Sequence, residues 1–136
     1  MNIKKILIAG ILAGIVIEII ALIIGTIVQA IWPFNIFEFG GMRAMNDPIM
    51  LLFFLQPWVI SFAMAIVYSY VGKATDGNVI WKGKKFGLLV WLVSSVPSVF
   101  VVYVSMNYPI GFTINQVVGS FFYMIGAGIT VARVME

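Results

Sequence analysis

Long stretches without charged residues constrain the fold of this chain most strongly. Glu18 is the only charged residue between positions 6 and 37, and no charged residue occurs at 48–72 or at 86–132. Apolar residues make up 62% of the 136 residues, and charged residues make up 10%. Because a soluble domain has about half apolar and about a quarter charged residues, these values exclude a water-soluble monomer and an intrinsically disordered chain.

Each uncharged stretch is long enough to cross a membrane, because about 20 residues of α-helix span the hydrocarbon core of a bilayer. The last stretch is long enough for two crossings and is interrupted at 106–109. We therefore predict an all-α fold, a four-helix transmembrane bundle that forms a single domain. The predicted helices lie at 6–31, 48–71, 86–105 and 114–134, with an outer loop at 32–47 and an inner loop at 72–85.

Two local patterns support the predicted helix starts. Asp47 before Pro48 is typical of an N-cap followed by proline at the first helical position. Thr113 with Gln116 three residues later predicts a capping box at the start of the fourth helix.

The basic residues predict the orientation of the bundle, because cytoplasmic loops of membrane proteins carry an excess of Lys and Arg. If both termini are cytoplasmic, Arg43 is the only basic residue outside. The cytoplasmic residues are then Lys4, Lys5, Lys73, Lys82, Lys84, Lys85 and Arg133. We predict a multi-pass protein of the cell membrane, with the lipid bilayer as its immediate partner. An alternative role for the basic residues at 82–85 is the binding of anionic lipid.

Glu18 is the residue that most directly suggests a function. Helical rise places it roughly 18 Å into the first helix, near the bilayer centre, where a carboxylate that faces lipid costs several kcal/mol. It should therefore face protein or water, or be protonated. It belongs to a stripe of small and polar residues that should pack against another helix: Gly10, Gly14, Glu18, Ala21, Gly25 and Gln29.

The fourth helix carries a second stripe of the same kind: Gln116, Gly119, Tyr123, Gly126, Thr130 and Arg133. We predict that the two stripes pack together, with close contacts at Gly10, Gly14, Gly25, Gly119 and Gly126. We also predict that the Tyr123 hydroxyl or a serine of the third helix forms a hydrogen bond with the Glu18 carboxyl group.

The candidate residues for binding an ion, a proton or a substrate are Glu18, the residues that depth matching places near its level, and Gln56 outward of this layer. The residues near the level of Glu18 are Tyr123, Ser94, Ser95, Ser98 and Ser61. Pro57 and Pro97 each remove a backbone donor, so their helices should bend or loosen. Gln56, Ser61 and Ser94 could then pair with the freed carbonyl groups.

Two functions compete for this layer of residues. In the first, Glu18 is a protonatable site of a small transport or permeation protein, which would form a homo-oligomer because four helices leave little room for a conduit. In the second, Glu18 is a neutral acid that joins helices, and the protein is a non-catalytic accessory or structural subunit of a larger membrane complex. The apolar outer loop at 32–47 is either a lid or an anchor in the membrane interface.

The composition argues against other functions. The chain contains no Cys and no His, which removes thiolate and imidazole metal sites and His-based catalysis. It also shows no paired carboxylates at one depth and no Gly-rich phosphate loop. We expect no enzyme activity, no metal site, no cofactor and no binding of nucleic acid.

The pattern Ile17-Glu18-Ile19-Ile20-Ala21 in the first of four helices is similar to small multidrug-resistance exporters, which also carry a lone glutamate in the middle of their first helix. The long outer loop and the strong charge bias depart from that family. The similarity therefore implies an analogous position of the acid, and we assign no residue role from it.

Overall fold

The computed structural model describes residues 2–136, and every secondary-structure element within them is a helix. Four helices are long and apolar enough to cross a membrane: α1 (Ile3–Ile31), α2 (Pro48–Ala74), α3 (Val79–Ser105) and α4 (Ile110–Met135). A short 3₁₀ turn at Ile36–Glu38 interrupts the segment between α1 and α2. The prediction of an all-α fold with four membrane-length helices is confirmed at this level.

Helix α4 is the central element of the bundle. It packs along α1 on one side and along α3 on the other, while α2 packs mainly against α1. The Lys5 ammonium group donates a hydrogen bond to the Met135 carbonyl over 2.9 Å, so the start of α1 meets the end of α4. We call this the basic end, and we call the opposite end, which carries residues 32–47, the loop end.

Helices α2 and α3 form a V. They contact each other near the basic end, where the rings of Tyr68 and Phe86 meet edge to face with centroids 5.1 Å apart. Elsewhere in the described residues, few backbone contacts join α2 to α3. The two helices therefore leave an opening that faces the loop end, with α4 behind it.

The buried core lies mostly in the half of the bundle near the basic end. It contains Ile6, Ala9, Ala13, Ile17, Met64, Ala65, Tyr68, Phe86, Met124, Ala127, Val131 and Ala132. Alanines make up half of the core residues from α1 and half of those from α4, which lets the two helices approach closely. This half is densely packed, whereas the half near the loop end contains cavities.

Helices α3 and α4 touch backbone to backbone at three glycines. A Cβ atom at Gly83 would lie 2.5 Å from the Ile129 Cα atom, and one at Gly128 would lie 2.8 Å from the Gly87 nitrogen. Side chains at these positions would push the helices apart. The sequence analysis assigned Gly83 to a loop and did not identify this contact.

The start of α3 differs from its predicted position. The helix begins at Val79 instead of position 86, and Asn78 caps it by accepting a hydrogen bond from the Trp81 backbone nitrogen over 2.9 Å. The predicted inner loop at 72–85 was therefore too long. The lysines at 82, 84 and 85 were assigned to a loop because of their charge, but a helix can extend past the apolar stretch that defines its membrane span.

The two predicted N-terminal patterns have different outcomes. Asp47 caps α2 as predicted, because its side chain accepts from the Ile49 backbone nitrogen over 2.9 Å. The predicted capping box at Thr113 is wrong, since α4 already begins at Ile110, directly after Pro109. Proline favours the position before or at a helix start, and this preference decides where α4 begins.

Both proline-containing helices depart from regular α-helix where the prolines remove a donor. Helix α2 is a 3₁₀-helix over Pro48–Leu55 and becomes an α-helix at Gln56–Val71. Helix α3 contains a π-helical segment at Trp91–Ser95, directly before the turn that contains Pro97. A missing N–H group at a proline leaves an earlier carbonyl without its usual partner, so the expected loosening at both sites is confirmed.

A carboxylate joins the helices at the basic end. The Glu136 carboxylate accepts hydrogen bonds from the Lys82 ammonium group at 3.2 Å and from the Tyr68 hydroxyl at 3.1 Å. We call these three residues the Glu136 clamp. Because Tyr68 lies on α2, Lys82 on α3 and Glu136 directly after α4, the clamp joins three of the four helices.

The clamp should depend on pH. The hydrogen bond from Lys82 is the main cause that holds the pKa of Glu136 below its usual value of 4.5. A lowered pKa stabilises the fold at neutral pH, and this contribution is lost as the pH falls below 4.5 through the lowered value. We expect Glu136→Gln to lower the thermal unfolding midpoint slightly at neutral pH, with the difference from wild type shrinking at acidic pH. The matched control is Asp76→Asn, an acid at the same end outside the clamp; an equal effect of both variants would contradict the assignment.

Candidate functional site

Glu18 lines a cavity bounded by α1, α2 and α4. The side chain is half-buried at the middle of α1, and it faces the other helices across this space. The cavity has a volume of about 380 Å³. Its other polar lining residues are Gln56, Asn115, Gln116 and Tyr123, and apolar residues such as Ile17, Phe53 and Pro57 complete the wall. We call it the Glu18 cavity.

A second cavity occupies the opening of the V between α2 and α3. It has a volume of about 410 Å³, and we call it the serine cleft. Its polar lining residues are Gln56, Ser94, Ser95, Ser98, Gln116, Ser120 and Tyr123. The serines come from α3 and α4, so the cleft is a polar strip between otherwise apolar helix faces.

A third cavity of about 530 Å³ lies under the segment between α1 and α2 at the loop end, and we call it the loop cavity. Aromatic rings fold this segment back onto the bundle: Phe39 stacks on Tyr108 with centroids 4.5 Å apart and meets Phe112 edge to face at 5.2 Å. Gln29 fixes the end of α1 to the segment by a pair of hydrogen bonds with the Phe34 backbone, at 2.6 and 2.8 Å.

The three cavities share walls, and all of their shared residues except Phe53 are polar. Gln56, Gln116 and Tyr123 separate the Glu18 cavity from the serine cleft. Asn115 and Gln116, together with the Phe53 ring, separate the Glu18 cavity from the loop cavity. Gln116 lines all three cavities. A continuous series of polar side chains therefore runs from the loop end to the middle of the bundle.

The polar side chains of the Glu18 cavity have no hydrogen-bond partners among residues 2–136. This holds for Glu18, Gln56, Asn115, Gln116 and Tyr123. Most other polar side chains within the helices do have partners, usually a backbone carbonyl one turn earlier: Thr26, Ser61, Ser69, Ser94, Ser98, Ser105, Ser120 and Thr130. Polar groups without partners are thus concentrated in the Glu18 cavity.

The predicted hydrogen bond between Glu18 and Tyr123 or a serine of α3 does not form in the described structure. Ser94 and Ser98 instead donate to the carbonyls of Val90 and Ser94, each over 2.7 Å. Because α3 packs on the far side of α4, its serines line the serine cleft and do not reach α1. Ser95 also lines this cleft.

Ser61 has a structural contact in place of the predicted site contact. Its hydroxyl is fully buried and donates to the Gly10 carbonyl of α1 over 2.7 Å. This hydrogen bond ties α2 to α1 on the side of Glu18 that faces the basic end. Among the predicted site residues, the structure therefore brings Gln56 and Tyr123 to the Glu18 cavity, and it places Ser61 and the serines of α3 elsewhere.

The two glycine stripes do not face each other along their whole length. Gly10 and Gly14 lie against Phe62 and Trp58 of α2, whereas Gly25 lies near Asn115 of α4. Residues four apart on an α-helix are rotated by about 40°, since each residue turns about 100°. The stripe of α1 therefore winds from α2 towards α4.

The stripe of α4 meets larger side chains of α1. A Cβ atom at Gly126 would lie 2.6 Å from the Ile20 side chain and 3.2 Å from Val16. Gly119 has Ile24 and Asn115 as its nearest neighbours, both at 3.8 Å. The close packing of α1 and α4 therefore pairs small residues with large ones, which corrects the predicted pairing of two small faces.

Asn115 is a residue of the Glu18 cavity that the sequence did not predict. It lines both the Glu18 cavity and the loop cavity, next to Gln116 in the chain. The available signal was the pair of adjacent carboxamides within an uncharged stretch, but the predicted helix start at 114 placed them at the helix end. Ser120 was also missed; it accepts a hydrogen bond from the Trp91 indole nitrogen over 3.0 Å.

Comparison with known proteins does not identify a relative. No protein-family model, no curated protein and no solved structure is significantly similar to this chain. The described residues also contain no cluster of three or more His, Cys, Asp or Glu side chains that could hold a metal ion. A function for this protein is therefore inferred from the arrangement of the Glu18 cavity.

Proposed function

We propose that the protein is an integral membrane protein with both termini in the cytoplasm and residues 32–47 outside. The length and apolar character of all four helices support a membrane location. The distribution of charge supports the orientation, because the basic end carries every Lys and Arg except Arg43. In this orientation the loop cavity opens towards the outside.

We further propose that the protein transports or conducts a proton or a small cation, with Glu18 as the binding group. The observation that carries this proposal is the set of five polar side chains in the Glu18 cavity that have no protein partner. An unpaired polar group in a nonpolar environment costs free energy, and no water is available in lipid to satisfy it. Water or a ligand in the cavity would remove this cost.

The position of the cavities supports access from one side. Polar walls link the Glu18 cavity to the loop cavity, which lies at the outer surface in this orientation. Towards the basic end, the space beyond Glu18 is filled by the buried core. In the proposed mechanism this arrangement is the state with access from the outside, and transport requires a change at the basic end.

The direct test is reconstitution of the wild-type protein in liposomes. Dissipation of an imposed pH gradient or potassium gradient should be faster than in protein-free liposomes prepared with the same lipid and detergent. A pH-sensitive dye enclosed in the liposomes follows the proton, and a potassium-selective electrode follows the cation. Rates equal to those of protein-free liposomes, at a protein content verified by gel, would contradict the proposal.

A further inference from the structure

We propose that the ligand of the Glu18 cavity is a single monovalent alkali cation, bound by the Glu18 carboxylate and by the carboxamide oxygens of Asn115 and Gln116. This inference rests on the proposed transport function and names the class of ion. It also assigns roles to two residues of α4 that face the cavity beside Glu18.

The available ligand atoms favour a hard cation. Glu18, Asn115, Gln116 and Gln56 offer carboxylate and carboxamide oxygens, and Tyr123 offers a phenolic oxygen. Oxygen ligands suit alkali and alkaline-earth ions, whereas thiolates and imidazoles select transition metals. The chain contains neither Cys nor His.

The charge of the cavity favours a monovalent ion. Glu18 is the single acidic side chain among the lining residues that the structure describes, and these residues include no Lys or Arg. One carboxylate neutralises one positive charge. A divalent ion would keep an uncompensated charge inside an apolar bundle, where charges are costly, and protein sites for Ca²⁺ normally supply several carboxylates.

The position of Asn115 suits a ligand of this kind. Its Oδ1 atom lies 3.8 Å from the Cβ positions of both Gly25 and Gly119. The absence of side chains at these two glycines gives the carboxamide room at the contact between α1 and α4. Asn115 has no hydrogen-bond partner within the described chain, so its oxygen remains available to a ligand.

The size of the cavity allows the ion to keep part of its water shell. A volume of 380 Å³ is large compared with the roughly 30 Å³ that one water molecule occupies in the liquid. Three or four protein oxygens and several waters can therefore complete the coordination. Such a partly hydrated ion can also leave the site, as conduction or transport requires.

The test is cation binding by the purified protein in detergent or nanodiscs. The thermal unfolding midpoint should rise saturably with NaCl or KCl, but not with choline chloride at equal ionic strength. Glu18→Gln and Asn115→Leu should each weaken the apparent affinity at least about tenfold. Asn107→Ala is the matched control, because this carboxamide lies near the loop end outside the Glu18 cavity, and it should bind as the wild type does.

A second variant keeps the proposal testable if Asn115→Leu fails to fold. Asn115→Asp adds a second carboxylate of nearly the same size and should shift the preference from Na⁺ or K⁺ towards Ca²⁺. Equal stabilisation of the wild type by choline, or a preference that Asn115→Asp leaves unchanged, would overturn the proposed site.

The two proposals can fail separately. If protein-dependent proton flux occurs but neither Na⁺ nor K⁺ stabilises the protein, the cation inference is wrong and the proposed transport function stands. If neither flux nor cation binding is observed, both are overturned. Saturable binding with loss in Glu18→Gln and Asn115→Leu supports the inference.

Discussion

Replacing Glu18 with Gln is expected to abolish protein-dependent flux in liposomes while leaving the fold intact. Glutamine has nearly the same size as glutamic acid and fits the same cavity, whose residues make no hydrogen bond to the carboxylate within the described chain. The change removes the one carboxyl group of the cavity, which is its only acidic side chain among the described lining residues. We expect the flux to fall at least about tenfold, equivalent to about 1.4 kcal/mol of lost ion stabilisation.

The matched control for this variant is Glu38→Gln. Glu38 lies in the 3₁₀ turn near the loop end and accepts a hydrogen bond from the Asn35 carboxamide over 3.1 Å, an interaction that glutamine can keep. Its flux should equal that of the wild type. Wild-type flux in a folded Glu18→Gln protein would refute the transport mechanism and favour the alternative of a non-catalytic accessory or structural subunit of a larger membrane complex.

Introducing a side chain at Gly87 is expected to separate α3 from α4 and to destabilise the protein strongly. A Cβ atom at this position would lie 2.8 Å from the Ile125 Cα atom and would also clash with the Met124 carbonyl. Both obstacles are backbone atoms, so no side-chain rotation can relieve the contact. Overpacking of this kind costs about 1–3 kcal/mol, and Gly87→Val should cost more than Gly87→Ala.

Unfolding in detergent micelles measures this effect, followed by the summed fluorescence of the four tryptophans, of which Trp91 lies one turn further along α3. Gly40→Ala is the matched control, since a Cβ atom at Gly40 meets no other atom within 4 Å. It should unfold like the wild type. An unchanged unfolding midpoint for Gly87→Ala would show that the two helices are not held at this distance.

The sequence predicted the number and approximate position of the apolar helices because long uncharged stretches have few other stable solutions in lipid. It placed the start of α3 seven positions late, because the lysines beside Gly83 resemble a loop although they lie on the first turns of a helix. The contact of Gly83 with Gly128 was missed for the same reason. Charge indicates the edge of a membrane span, whereas capping by Asn78 decides where the helix begins.

For the candidate site, the sequence identified the unusual residue but not its surroundings. Depth matching placed Tyr123 at the level of Glu18 and Gln56 outward of that level, and both line the Glu18 cavity. Depth alone could not tell which helix neighbours which, so it also selected the serines of α3, which lie beyond α4. The order of the helices around the bundle depends on backbone contacts such as those at Gly87 and Gly128, and these are tertiary properties.

The V formed by α2 and α3 has a mechanical consequence. The two helices touch at Tyr68 and Phe86, and the serine cleft continues along α3 to Val99. If α3 rotated about this contact, the far end of the cleft would lie roughly 20 Å from the axis of rotation, which is the length of thirteen helical residues. A change of a few degrees in the angle between α2 and α3 would thus displace Ser98 by an ångström or more. Glu136 binds Tyr68 of α2 and Lys82 of α3, so it lies close to the point about which the helices would rotate.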